Sequence, residues 1–295
     1  MDINNLQAFI EVAEKRSFSR SAETLKLTQP AVSKRIAALE SELASRLFDR
    51  VGRTVHLTEA GKVLLPSALK ISSEVSRIED QISSLGKEVG GKLSIGSAEH
   101  VCANKLAPLL KAYRESYPEV EIDMQFHRTE ETLDCIEHGT IDMGLVCSMD
   151  TGAVCKSHSR LRNLEIWSEK LVVAVEKHHQ LARQDGVSIS QLAAFPAIMP
   201  KDYLSMRKSV DNILSKQQAE VKVAIEATDF ATVRSMASTG LGWACLPESE
   251  MDETLVALRV DGMELTHSVV LVRNPDRSLS RAAQAFVDAM PALLM

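Results

Sequence analysis

Seven apolar residues, Leu64, Ala68, Ile71, Val75, Ile78, Ile82 and Leu85, follow one another at intervals of 4, 3, 4, 3, 4 and 3. That spacing puts them on one stripe of an α-helix and is the signature of a helix–helix seam. A helix running from Thr58 and Glu59 to about Lys87 would be ~28 residues and about 42 Å long. Such a rod divides the chain into a short N-terminal part and a long C-terminal one. Ser67, Ser72, Ser73, Ser76, Ser83 and Ser84 surround the seam and keep the apolar stripe narrow. A narrow stripe suits a partner helix better than a broad core, the alternative being a long helix packed on its own domain. "GKEVGGK" (86–92) then breaks the helix and reads as a hinge.

Ahead of the rod, residues 4 to 16 carry Leu6, Phe9, Ile10, Val12 and Ala13 at amphipathic helical spacing. Ser19 is expected to cap a short second helix through Leu25, with Glu23 as capping partner. Thr28 is expected to cap a third, with Gln29 and Pro30 in its first turn, where a missing N–H costs little. In that third helix Val32, Ile36, Leu39 and Leu43 form the apolar stripe. Pro30, Lys34, Ala37 and Ala38 occupy the opposite face, Gln29 and Ser33 flank it, and Arg35 lies nearer the stripe. Small residues plus a cation let this face approach another surface closely. "DRVGRTVHLT" (49–58) reads as two short strands around Gly52, a wing carrying Arg50 and Arg53. Three helices and a wing make a winged helix-turn-helix. The net charge of −6 is unevenly spread. Residues 1–65 hold ten Lys and Arg against eight Asp and Glu, whereas the rest of the chain holds 24 against 32. The positive excess therefore sits where phosphate contact would need it.

Beyond the hinge, strands alternate with helices. "KLSIGS", "VEIDMQFH", "IDMGLVCS", "EKLVVAVEK", "FPAIMP", "VKVAIEA", "WACLP" and "HSVVLVRN" read as strands. "CANKLAPLLKAYRESYP", "EETLDCIEHG", "FATVRSMASTG" and "SRAAQAFVDAM" read as helices. This alternation implies mostly parallel sheets covered by helices. The apolar content of 45% is enough for real cores. No apolar run approaches the ~20 residues of a membrane span, and the N-terminus lacks signal-peptide character, so a cytoplasmic location without membrane contact is expected. The odd set Cys102, Cys135, Cys147, Cys155 and Cys245 forms no CxxC pair and argues against a disulfide framework. No P-loop or dinucleotide fingerprint occurs, and no cofactor is expected. His100 and Cys102 alone are too few for a metal site. "HHQ" (178–180) reads as a surface turn, and no nucleophile–His–acid arrangement can be argued from the spacing, so the chain is not expected to be an enzyme.

"LQAFIEVAEKRSFSRSAETLKLTQPAVSKRIAALESELASRLFDRVGRTVHLTEAG" closely resembles the DNA-binding module of the LysR-type transcriptional regulators of bacteria. "HGTIDMGLV", "VEKHHQLA" and "STGLGWACLP" match more weakly further along. The resemblance implies a winged helix-turn-helix (1–58), a dimerising linker helix with its hinge (59–90) and an effector-binding domain (91–295). That last part is a two-lobed α/β unit like a periplasmic binding protein, with lobe I about 91–163 and 267–295 and lobe II about 164–266. It implies a sequence-specific regulator that binds an inverted repeat in promoter DNA as a homodimer or homotetramer, modulated by a small-molecule effector, with RNA polymerase as a further partner.

In such a reading Gln29, Ser33 and Lys34 read bases, and Pro30 and Ala37 make apolar contacts. Thr28, Arg35 and Arg50 hold phosphates, and Arg53 reaches the minor groove. Ligands of open α/β sheets lie beyond the carboxyl ends of the strands, and the resemblance puts the effector there, between the lobes. The residues are Ser97, Glu99, His100, Thr129, Cys147, Pro200, Lys201, Tyr203, Thr228 and Asp229. Ser97, Thr129 and Thr228 could equally be plain helix caps. Small anions are common effectors in the family, yet Glu99 and Asp229 are acidic. They suit an amine, pair with Lys201, or point outward. A thiol-based redox regulator using Cys147 and Cys102 is an alternative, although the peroxide-sensing branch has a cysteine where this chain has "AIMPKDY". A solute-binding α/β protein is a further alternative that leaves the N-terminal module without a role.

Overall fold

The computed structural model describes residues 1–51, 54–83, 89–101, 105–201 and 204–293. The expectations for Gly52, Arg53, Ser84, Leu85, Gly86, Lys87, Cys102 and Tyr203 lie outside these residues, as do those for the side chains of Arg50 and Glu99.

Three helices form first: α1 (Ile3–Lys15), α2 (Phe18–Thr24) and α3 (Gln29–Glu42). Asp2 caps α1 by accepting from the Asn4 N–H at 2.8 Å. The cap of α2 is Ser17, not Ser19. Its backbone is extended and its hydroxyl accepts from the Arg20 N–H. Starting the helix there lets Phe18 set its ring edge-on against Phe48, 6.0 Å between centroids. Thr28 caps α3 as expected, accepting from the Ala31 N–H. Val32, Ile36 and Leu39 are buried against Leu6, Phe9 and Val12 of α1. Leu43 departs from the expected stripe. The helix ends at Glu42, the chain turns at Ala44 (φ 48°), and Leu43 is left 38% exposed while Leu47 takes the core place. The wing follows as β1 (Phe48–Val51) paired antiparallel with β2 (Thr54–Leu57). A carboxylate oxygen of Glu40 accepts from the Leu47 N–H at 2.7 Å and from the Phe48 N–H, tying the wing to α3.

Helix α4 (Glu59–Ser83) starts flush against the wing. Thr58 caps it, and a Cβ on Gly61 would collide with the Leu47 carbonyl. Only glycine allows that approach. The heptad seam splits in two. Leu64 and Ala68 join the core of the three-helix module, whereas Ile71, Ile78 and Ile82 are 39%, 45% and 63% exposed.

The remaining chain builds one nine-stranded sheet. Its strands are β3 (Gly91–Ser97), β4 (Val120–Phe126), β5 (Met143–Ser148), β6 (Arg162–Glu176) and β7 (Ala197–Pro200), then β8 (Val223–Ala227), β9 (Trp243–Pro247), β10 (Leu255–Leu258) and β11 (Leu265–Arg273). The order is β4-β3-β5-β11-β6-β9-β7-β8, with β10 also on β6. The outer pairs β3/β4, β3/β5, β7/β8 and β7/β9 are parallel, as the alternation of strand and helix implies. The centre is not: β11 and β6 are antiparallel to each other and to their neighbours. These two strands span both lobes, which is why β6 runs 15 residues where the sequence suggests nine.

The helices are α5 (Glu99–Val101), α6 (Ala107–Ser116), α7 (Thr129–His138), α8 (Ile189–Ala193), α9 (Ser205–Lys216), α10 (Phe230–Ser238) and α11 (Arg281–Leu293). The single helix expected over 102–118 instead begins at Ala107, because Pro108 fits only a first turn. Separate cores define the lobes. Tyr113, Phe286 and Ile95 fill one face of lobe I, and Leu133, Ile136 and Val270 the other. Trp243, Ile198 and Val210 centre lobe II.

Candidate DNA-binding and effector sites

The exposed face of α3 is built by its cap and its stripe. With Val32, Ile36 and Leu39 buried, Thr28, Gln29, Pro30, Lys34, Ala37 and Ala38 are exposed, and Ser33 and Arg35 are half-buried. The Gln29 side-chain amide donates to Ser33 Oγ at 3.1 Å, so these two present one joined polar surface. Arg35 leans toward α1, with Nη1 3.5 Å from the Asn4 carbonyl. Lys34 projects from the middle of the face. Arg50 sits on β1 opposite Val55. The Ser21 hydroxyl, fully buried, donates to the carbonyls of Glu11 and Ser17 and locks α2 onto α1. This fixes the angle at which α3 is presented.

The second site lies where the lobes meet. Cys147 on β5 stands beside Val269 on β11, which stands beside Trp167 on β6; two residues along, His267 stands beside Glu169. Strand pairing thus puts Cys147, Trp167, Glu169 and His267 on one face. His100, just past β3, closes over them. Its Nε2 is 3.1 Å from Cys147 Sγ, and its ring is 6.4 Å from that of His267, with planes 19° apart. It also meets Phe230 of lobe II edge-on at 4.9 Å. Glu169 accepts from the Ser249 N–H at 2.7 Å and lies 3.3 Å from His267 Nε2.

The charges follow from this packing. Burial pulls the His100 pKa down to about 4, with His267 adding to the effect and Glu169 opposing it. Burial pushes the Cys147 thiol up to about 12, and the Glu169 charge pushes the same way. Burial also works against the Glu169 carboxylate, but hydrogen bonds from His267 and Ser249 outweigh it and hold the group at about 2. The facing pair, His100 and Cys147, is therefore neutral at pH 7, beside one fixed negative charge. The enclosed space among these groups is about 20 Å³, room for a single water. An open depression of about 600 Å³ adjoins it and shares Lys105, Glu169 and Ser249. Lys105 Nζ lies 5.6 Å from the Trp167 ring centroid.

Of the residues named from sequence, the structure brings His100 and Cys147 together here. Ser97 is fully buried and its hydroxyl donates to the Leu145 carbonyl, so it serves the fold. Thr129 opens α7 half-buried, and Thr228 is exposed. Pro200 is buried, with its carbonyl taken by Arg207. Lys201 pairs with Glu226 at 3.7 Å, and Asp229 is occupied elsewhere. Asp229 is the cap of α10, its two oxygens accepting from the Thr232 N–H and hydroxyl. Lys105, Trp167, Glu169, Phe230, Ser249 and His267 were not anticipated. Trp167 and Glu169 share a strand face at a two-residue interval, a signal hidden because the strand reads from Glu169 onward. Among the described residues, no group of three or more His, Cys, Asp or Glu could hold a metal ion, and no helix is long and apolar enough to cross a membrane.

Comparison with known proteins agrees with this architecture. Residues 3–62 match the family described as bacterial regulatory helix-turn-helix protein, lysR family, and residues 86–294 match the LysR substrate binding domain. A probable RuBisCO transcriptional regulator of Trichormus variabilis is 27% identical over 292 residues, covering 96% of this chain and 86% of the relative. The hydrogen peroxide-inducible genes activator of Haemophilus influenzae is 27% identical over 249 residues, 84% of this chain and 80% of the relative. The solved structure of full-length CbnR complexed with its target DNA superimposes with a TM-score of 0.71 at 21% identity, over 99% of this chain and 100% of that one. The chain belongs to the LysR family of transcriptional regulators.

Proposed function

We propose that this regulator binds a two-fold DNA site through α3, and that a small molecule entering between the lobes changes how it does so. The observation that carries the DNA reading is the face of α3: a capped N-terminus, a joined Gln29–Ser33 pair, Lys34 and two alanines, all outside the core. Gln29, Ser33 and Lys34 read base edges, Pro30 supplies apolar contact, and Thr28, Arg35 and Arg50 hold phosphates. The exposed Ile71, Ile78 and Ile82 support a homodimer through α4, and two modules so joined call for an inverted repeat. Tetramer assembly, contact with RNA polymerase, a cytoplasmic location and the absence of catalysis belong to the same reading.

For the effector, His100 bridging to Phe230 is the element a ligand would displace or clamp. The ligand acts only insofar as it binds one lobe arrangement more tightly. Thr129, Lys201, Thr228 and Asp229 remain part of the proposed cleft wall, with Lys105, Trp167 and Glu169 as its floor. For Cys147 the thiol-switch reading finds little support. A redox cysteine needs a stabilised thiolate, and Cys147 is held protonated.

Selection of operator sequences from random DNA by the full-length chain tests the proposal. Lys34→Ala should weaken the selected site about 10- to 100-fold. Unchanged affinity would remove α3 as the recognition element. A thermal-shift screen of the full chain against metabolites tests the cleft, and the hit should lose its effect in Trp167→Ala.

A further inference from the structure

Lobe I meets the linker helix through α7 and through the side chain of Arg277. Arg277 lies in the turn between β11 and α11, and its Nη2 donates to Ser73 Oγ of α4 at 2.7 Å and lies 3.5 Å from a carboxylate oxygen of Glu74. Its side chain is only 17% exposed. To reach α4 the guanidinium lies across Gly139, the residue that closes α7. A Cβ at position 139 would land on the guanidinium itself. Gly139 also adopts φ 75° as the left-handed cap of α7, so the missing side chain serves both the cap and the arginine. Beside this contact is a polar cavity of about 190 Å³, lined in part by Ser76, Ser94, Thr140 and Asn274. It has room for several waters. The junction is therefore held by Arg277 and by α7 packing on α4, with open space beside them.

We propose that Arg277 is a positioning residue that sets the angle between lobe I and the linker helix, with α7 as the bar connecting it to the cleft. This rests on the regulator reading above. Helix α7 begins at Thr129, two residues past His127, whose N–H donates to the carbonyl of Ser97 at the end of β3 from which His100 follows, and it is closed by Gly139 under the guanidinium. It packs on β3, β5, β11 and α4. A ten-residue helix is a rigid bar of about 15 Å, so movement of its cleft end is delivered at Arg277. The N-terminal half of α4 is embedded in the DNA-binding core and packs on α1, so a change of angle at Ser73 turns the whole three-helix module.

Hydrogen exchange of the full-length chain tests the contact, and footprinting with DNA-bend measurement on the selected operator tests its consequence. Arg277→Ala should speed exchange of α4 amides near Ser73 about tenfold, because a hydrogen bond to a charged group is lost. Ser73→Ala combined with Glu74→Gln, both half-buried on the face of α4 that meets Arg277, should reproduce the effect, and adding Arg277→Ala to that pair should give nothing more. The footprint or bend should change while affinity for a single half-site stays within about twofold, since the recognition face is untouched. Unchanged α4 exchange in both variants overturns the proposal. So does altered exchange with an unaltered footprint and bend. A wild-type chain that selects no operator would overturn the regulator reading instead, and the exchange arm would still decide whether Arg277 holds α4.

Discussion

His100 and Glu169 make the cleft sensitive to acid in two separate ranges. The folded His100 takes a proton only near pH 4, whereas the unfolded one does so near 6.5. The unfolded state therefore binds more protons in that interval, and stability falls as pH drops from 6.5 to 4. The full effect is at most about 3 kcal/mol. Glu169 acts below that. Its carboxylate favours the fold above the ordinary value of 4.5, and this contribution is lost as pH falls toward 2. Urea midpoints measured from pH 7 to 2 should decline across both intervals. His100→Gln should flatten the upper one and Glu169→Gln the lower, and an unchanged upper interval in His100→Gln would refute the neutral buried ring. The thiol gives a simpler check. Iodoacetamide at pH 8 should label Cys147 more than about 100-fold slower than a free cysteine, because almost no thiolate is present; comparable labelling, followed by peptide mass, would reopen the redox alternative. None of these shifts could be read from sequence. They arise because β5, β11 and β6 are adjacent, and Cys147, Trp167 and His267 are far apart along the chain.

At the scale of single elements, legibility followed periodicity. Helix α3 and its cap, the wing strands and α4 were readable because each is amphipathic or heptad-spaced and locally capped. The errors came where packing overrode local preference. Ser17 rather than Ser19 caps α2 because Phe18 must face Phe48. Leu43 leaves the stripe because the chain turns at Ala44. Helix α8 and strand β10 are short and went unread, as did α9 although its buried Met206, Val210 and Leu214 recur every four residues. The seam of α4 offers the clearest element-level prediction. Ile78 and Ile82 in that seam are 45% and 63% exposed, so Ile78→Asp with Ile82→Asp should shift the full-length chain toward monomer in light scattering. DNA affinity should then fall by about 100-fold or more, since two half-sites no longer bind as one. A double variant of unchanged mass would place the dimer contact elsewhere.

At the scale of the whole molecule, alternation of strand and helix gave the fold class, and the antiparallel centre was the part hidden. The first nine residues of β6 are exposed or half-buried and polar-rich, and only its end is an apolar run, so nothing in β6 or β11 announces a pair shared by two lobes. That pair has a consequence for how such a protein can be altered. Leu171 and Leu265 are opposite one another in the β6–β11 ladder, which puts their Cα atoms about 5 Å apart. Everything between them is one unbroken stretch of chain that leaves and returns at a single doorway. Lobe II is thus a cassette. A lobe from a relative, grafted at these two positions and keeping Phe230 and Ser249 for their contacts with His100 and Glu169, joins its host's chain at one fixed gap and leaves α3, α4 and Arg277 as they were, so a new chemical signal is wired to an old operator by exchange of one segment.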